Sequence, residues 1–427
     1  MTSGTDTAFQ IMASNCRFGH GITHEVGMDL VDLGARRVLL VIDPMVRKAP
    51  TGAVVQQSLE DNQLDFAIFD QIEIEPTDAS FLAAAKFATE GNFDAIVAVG
   101  GGSTIDTAKA ANVYATHPAD FLDYVNAPIG RGKPVPGPLK PLIAIPTTAG
   151  TGSETTGVAI FDLVSRRVKT GIASKYLRPT LGIVDWDNTR TQPPAVAASA
   201  GLDVLSHALE SYTAIPYEQR LKPARPSERS AYQGSNPMSD VWALRALEIV
   251  AEFLPRAVAD TSDDVARMQM ILASSMAGIG FGNAGVHLPH AMAYPVAGMV
   301  RDFRPAGYAT QHAMVPHGMS VILHTPAVAR FTAPQSPDRH LLAAKALGAD
   351  ISKAKLPDAG QVLADQILIM MQRLRMPNGL KIVGYGTPDL PALVEGTLAQ
   401  QRLIKLSPVP AGAEEIAQLF EESMTLW

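Results

Sequence analysis

FDAIVAVGGGSTIDTAKA (93–110) runs from an apolar stretch through three glycines into an alanine-rich stretch. A continuous apolar run that ends in glycine reads as a strand buried on both faces, followed directly by a helix. Similar runs lie on either side: RRVLLVID (36–43), DFAIFD (65–70), KPLIAIPTT (140–148) and TLGIVDW (180–186). Amphipathic stretches such as SFLAAAKFATEG (80–91) separate several of them. Buried strands alternating with helices predict a parallel sheet covered on both faces, an α/β domain over residues 1–194. After Pro193-Pro194 β-branched runs become scarce, and long Ala/Leu/Met stretches take over at 195–214, 238–258, 264–280, 317–331, 358–375 and 413–425. An all-α domain is expected over 195–427. Two long loops, 215–237 and 299–314, interrupt it, and loops of that length in a compact domain are usually functional.

The 427 residues contain 47% apolar and 18% charged side chains, which excludes disorder as the main state. The net charge is -7 and no basic tract occurs, so nucleic acid is not an expected partner. The single Cys16 excludes an internal disulfide framework and a cysteine zinc site, and suits a reducing compartment. The opening MTSGTDTAFQ lacks a basic region followed by an apolar one, so a cytoplasmic location is expected. Between Arg267 and Arg301 no charged residue occurs over 33 positions. That run carries Gln269, Asn283, His287, His290, Pro289 and Pro295, and reads as a buried helical hairpin rather than a membrane span.

Gly100, Gly101, Gly102 and Ser103 stand between strand and helix, where glycines allow close approach and the new helix offers unpaired N–H groups to a phosphate. The plainer reading is a tight turn needing glycine for packing; three in a row favour the phosphate site. The GxGxxG fingerprint is absent, because Ile105 stands at the third glycine position. IPTTAGTGSETTG (145–157), with Thr147, Thr148 and Thr151, suits a second wall along a nucleotide. Asp43, at the end of VLLVID, is a turn residue or a ribose ligand that would favour NAD over NADP.

Five of the ten histidines fall between 287 and 324: His287, His290, His312, His317 and His324. Upstream, Asp203 and His207 are spaced i, i+4 and share one helix face, a spacing at which two side chains can grip one ion. An aspartate with three histidines is a donor set suited to Fe(II), Zn(II) or a similar first-row ion, and the donor set does not choose between them. His20, His24, His117 and His340 read as ordinary polar residues.

Taken in order, GGGSTIDTAK, PTTAGTGSE, the Asp203/His207 pair, PHAMAYPVAG and VPHG resemble the iron-containing (group III) alcohol dehydrogenase family. The resemblance implies a dehydroquinate synthase-like architecture, an NAD-binding α/β domain plus an all-α metal-binding domain. It implies Asp203, His207, His290 and His317 as metal ligands, and Asp106 and Lys169 as further cofactor contacts. DFLDYVNAPIG (120–130), ETTGVAIFD (154–162), ESYTAIPY (210–217), AYQGSNP (231–237) and GIGFGNAGVHL (278–288) are similar to the hydroxyacid-oxoacid transhydrogenase branch. That branch implies hydride transfer through bound NAD from a 4-hydroxy acid such as 4-hydroxybutyrate to a 2-oxo acid such as 2-oxoglutarate. The alternative is a simple dehydrogenase that releases NADH. Many generic members carry a second histidine four residues after the third ligand; here Tyr294 stands there, so Tyr294 and His287 are the candidates for a proton relay. Arg301 and Arg304, in the loop between two ligands, are candidates for holding a substrate carboxylate. Small-molecule substrates and a homo-oligomer are expected, with no membrane partner.

Overall fold

A computed structural model describes residues 4–166, 168–308 and 312–427, and the chain divides into two compact units. One spans Ala13–Gln192; the other joins the opening residues up to Met12 to Pro193–Trp427. The opening segment is tied to the second unit by Asp6, whose carboxylate pairs with Arg229 at 2.9 Å.

The first unit is built on a six-stranded sheet of β1 (Cys16–Gly19), β2 (Arg37–Ile42), β3 (Asp65–Phe69), β4 (Ala95–Gly100), β5 (Leu142–Pro146) and β8 (Leu181–Asp185). Its order is β1-β8-β5-β4-β2-β3, with every pairing parallel. Alternate residues feed two cores. Leu40, Val97 and Ile143 pack with Val26, Leu30, Val55 and Leu59 of the helices Val26–Asp32 and Pro50–Asp61. Leu39, Ile96 and Ala144 pack with Ala84 and Ala88 of the helix Asp78–Gly91, and with Ile105 and Ala108 of α1 (Gly102–Thr116). That two-sided burial explains the unbroken apolar runs. Strand order reverses between β2 and β4, so Asp43 and Gly100 leave the sheet side by side at a switch point, where such sheets bind ligands. The antiparallel hairpin β6 (Val158–Leu163) and β7 (Val168–Ala173) lies outside the sheet.

The second unit is helical. Its centre is α2 (Pro194–Thr213), packed against α3 (Pro237–Ala259) and α4 (Asp264–Ala284). The expected hairpin in the charge-free run is α4 followed by α5 (Leu288–Gly298), with His287 at the turn. The stretch expected as one helix over 317–331 is two. The helix α6 (His317–Ile322) ends before Leu323–His324, and a new helix begins at Thr325 with Pro326 in its first turn. Proline lacks the N–H that a continuous helix would use there. No helix among the described residues is long and apolar enough to cross a membrane.

The seat of α6 on α2 depends on one glycine. A Cβ on Gly318 would fall 2.0 Å from the Ser199 carbonyl oxygen and 2.8 Å from the Asp203 Cβ. Next to it, the Met319 N–H donates to the Ser199 hydroxyl at 3.1 Å. Gly318→Ala is therefore expected to cost about 1–3 kcal/mol through overpacking. Denaturant unfolding should show the loss, and metal content should fall with it, because His317 is the neighbouring residue.

Candidate functional site

Asp203, His207 and Glu210 occupy successive turns of α2 on one face, and all three are buried. His290 enters from the first turn of α5, behind Pro289, and His317 is the first residue of α6, fixed by Pro316 before it. One donor atom from each of Asp203, His207, His290 and His317 lies within 4.8 Å of all the others. The Asp203 Oδ1 stands 3.7, 3.6 and 3.8 Å from the Nε2 atoms of His207, His290 and His317. These distances are too long for hydrogen bonds. They match four donors around a shared ion, since tetrahedral ligands about 2.1 Å from a metal stand roughly 3.4 Å apart. The Asp203 Oδ1 and the His290 Nε2 are buried with no hydrogen-bond partner, as donor atoms awaiting a cation would be. His312 and His324 stay outside the four.

The surroundings hold the imidazoles in place. His207 stacks on Phe281 at 4.0 Å and faces His290 at 4.7 Å between ring centres. Burial lowers the His207 pKa to about 3, which keeps it neutral and able to ligate. The Glu210 Oε1 accepts from the His290 Nδ1 at 2.5 Å, and its Oε2 accepts from the His287 N–H at 2.6 Å. Burial works to lower His290, but the Glu210 and Asp203 carboxylates outweigh it and raise it to about 9. Asp203 sits below the usual carboxylate range: burial would raise it, and the three histidines more than offset that.

In the first unit the glycine run meets the threonine loop directly. A Cβ on Gly101 would lie 3.2 Å from the Thr148 Oγ1, and one on Gly102 would lie 2.6 Å from the Thr151 Cγ2. The Thr147 N–H donates to the Gly100 carbonyl at 3.0 Å, and the Ser103 hydroxyl accepts from the Glu75 N–H at 3.3 Å. Asp106 turns inward, accepting from the Ser153 hydroxyl at 2.6 Å and the Ile160 N–H at 2.9 Å. Asp43 caps the short helix Pro44–Arg47 through the N–H groups of Met45 and Val46. Lys169 is buried between Glu75 at 2.7 Å and Asp162 at 3.0 Å. Burial works to lower its pKa, but the two carboxylates hold it above the ordinary amine range.

Tyr294 is buried on α5 with its ring 6.4 Å from that of His317. His287 points its Nε2 at the Thr213 hydroxyl, 3.0 Å away, and burial lowers it to about 4. Arg301 is committed to Asp389 through two bonds of 2.8 and 2.9 Å, and to the Gly384 carbonyl. Arg304 lines a cavity of 960 Å³ together with Tyr308, Met319, Arg373 and Arg375. Residues 309–311 of the loop 299–314 lie outside the described residues.

A family model described as iron-containing alcohol dehydrogenase matches residues 13–186, and its C-terminal counterpart matches 228–424. The chain belongs to the iron-containing alcohol dehydrogenase family. Within that family it is 55% identical to the mitochondrial hydroxyacid-oxoacid transhydrogenase of Rattus norvegicus over 99% of this chain and 91% of that one. The Homo sapiens protein of the same name is 54% identical over the same shares. Among solved structures, a 1,3-propanediol oxidoreductase superposes with a TM-score of 0.85 at 28% identity, covering 97% of this chain and all of that one.

Two side chains in these iron-containing dehydrogenase sites escaped the sequence reading. Glu210 continues the Asp203/His207 face by one more turn, and that spacing is the signal that could have found it. Lys109, at the end of GGGSTIDTAK, is fully buried and donates to the Ser153 and Thr156 hydroxyls and the Val158 carbonyl. Burial lowers it to about 8. His290→Ala should abolish metal retention. Glu210→Gln keeps the shape of the Glu210 side chain but weakens its hold on His290, and should lower metal affinity about 10–100-fold. Competition with a chelator measures both; wild-type affinity in Glu210→Gln would remove Glu210 from the site.

Proposed function

We propose that this chain is a hydroxyacid-oxoacid transhydrogenase, moving hydride from a 4-hydroxy acid to a 2-oxo acid through an NAD that stays bound. The observation that carries this reading is near-complete coverage by relatives of that name at 54–55% identity. The four clustered donors support it. When bound, the metal supplies Lewis acidity to a hydroxyl or carbonyl oxygen and NAD supplies the hydride carrier.

Asp203, His207, His290 and His317 would hold the ion, Fe(II) before Zn(II). Glu210 accepts a hydrogen bond from the His290 Nδ1–H, so that loss of the other ring proton on metal binding would direct an Nε2 lone pair at the cluster. The backbone N–H groups at the start of α1, beyond Gly100 and Gly101, would receive the cofactor phosphates. Thr147, Thr148 and Thr151 would line the opposite side. Asp43 would disfavour a 2′-phosphate at the end of β2. Asp106, Lys109 and Lys169 would serve as braces that hold these loops and the β6–β7 hairpin in register. Tyr294, whose ring lies 6.4 Å from that of His317, and His287 would be the proton-relay candidates. A cytoplasmic location is part of the proposal; the relatives' names place those proteins in mitochondria, and cell fractionation decides.

The test mixes the purified, metal-loaded protein with 4-hydroxybutyrate and 2-oxoglutarate and no free NAD. Succinic semialdehyde and a 2-hydroxy acid should accumulate in equal amounts over many turnovers. Turnover that stops after one equivalent and resumes only with added NAD would replace the proposal by a simple dehydrogenase.

A further inference from the structure

Among the described residues four other than glycine have a clearly positive φ: Gln63 at 55°, Glu75 at 58°, Asn92 at 50° and Arg375 at 57°. Gln63, Asn92 and Arg375 stand just past the end of a helix, where a left-handed residue closes the last turn. Glu75 does not. It lies in the loop that leads from β3 to the helix Asp78–Gly91, and it precedes Pro76, a place where the chain is normally extended. Strain of this kind persists only where the surroundings fix it, and it gathers at ligand clamps and active sites.

The partners of Glu75 are specific. Its N–H donates at 3.3 Å to the hydroxyl of Ser103, in the first turn of α1. Its carboxylate holds the buried Lys169 amine of β7 at 2.7 Å, and Lys169 reaches on to Asp162 of β6 at 3.0 Å. The Asp162 N–H in turn donates to the Pro76 carbonyl at 2.7 Å, and Thr77 bridges to Asp162. At the other end of the loop Asp70 pairs with Arg47, on the short helix that Asp43 caps. Residues 70–77 therefore form a strap, tied to the hairpin at one end and to the helix after β2 at the other.

This strap bears on the cofactor through Ser103. A hydroxyl has one proton and can also accept. Because the Ser103 oxygen accepts from Glu75, its own proton is left to donate to an acceptor such as a phosphate oxygen at the start of α1. That arrangement lasts while Glu75 keeps its unfavourable φ. The ion pair to Lys169 is the strongest tie that holds it there, since a charge-assisted bond is about twice as strong as a neutral one.

Resting on the reading that NAD stays bound through turnover, we infer that the Glu75–Lys169 ion pair is a latch for the cofactor: it holds the strap against Ser103, and NAD leaves when the strap lifts. Glu75 is a positioning residue, acting through Ser103 and the loop. The experiment follows the fluorescence of bound NADH after a chase with excess NAD, in the metal-loaded wild type, Glu75→Gln and Glu75→Gly. Glutamine keeps the size of the side chain and loses its charge; glycine removes the side chain and accepts the positive φ without strain. Release should quicken by about tenfold in Glu75→Gln, the difference between a charge-assisted and a neutral bond, and at least as much in Glu75→Gly. The NAD that co-purifies with each variant should fall in step. Hydride transfer from 4-hydroxybutyrate to NAD already bound, read in a single turnover, should keep the wild-type rate, and metal content should not change. Release at the wild-type rate or slower overturns the inference. So does a loss of single-turnover rate as large as the gain in release, which would make Glu75 a support of the whole unit. If Glu75→Gln does not fold, Glu75→Gly, freed of the strain, decides on the same readouts. A wild type that carries no NAD through gel filtration sinks the retained-cofactor reading, while the release of added NADH still judges Glu75.

Discussion

Two buried carboxylates on one helix face, Asp203 and Glu210, set the terms for the helical unit. Each negative charge in that apolar setting costs several kcal/mol unless a positive charge meets it. Glu210 is met by His290, through a bond of 2.5 Å and two backbone N–H groups. Asp203 is met by three imidazole nitrogens at distances that leave room for an ion and none for direct bonds. The surrounding features follow from this need. Gly318 lets α6 approach close enough to bring His317 in, Phe281 fixes the plane of His207, and the turn at His287 aims its N–H at Glu210.

The sheet was legible because burial on both faces writes itself as unbroken apolar runs, and five of its six parallel strands were read that way. The sixth, β1, is a four-residue edge strand, CRFG, with too few apolar side chains to register. The hairpin was not legible: β6, VAIFDL, follows the threonine loop without a helical stretch between them, and β7, VKTGIA, is broken by Lys169, Thr170 and Gly171. The break after Ile322 turned on Pro326, which a composition reading passes over. The pair Asp203 and His207 was visible because a helix repeats every 3.6 residues. The same period pointed to Glu210, yet nothing in a period says which acid faces an imidazole and which faces solvent.

Polar partners were the least legible feature. Asp106 and Lys109 stand in a motif that reads as cofactor-binding, and the structure spends both on internal bonds to Ser153 and the start of the β6–β7 hairpin. A Cβ would be tight against Thr148 at Gly101 and would collide with Thr151 at Gly102. The packing reading and the phosphate reading of that glycine run are therefore compatible. The loops must touch to form a rigid edge, and a rigid edge of free N–H groups is what a phosphate needs.

The same distinction separates the arginines. Counting cations along a loop drew attention to Arg301 and Arg304, whereas the structure sorts cations by what already neutralises them. Arg301 has a carboxylate of its own, whereas Arg402 lies over the Tyr232 ring. On the proposed function this difference bears on how one site can serve two half-reactions. A retained cofactor requires that donor and acceptor acids alternate in one place without rearrangement of the protein. The extra carboxylate of a 2-oxo acid lies on the reacting carbon, beside the metal ligands, so it places no demand on the far end of the site. The far carboxylate is common to both acids and stands at the same bond count from the reacting carbon. A single cation there is then sufficient, and a second fixed cation further out would favour one partner over the other and slow the exchange.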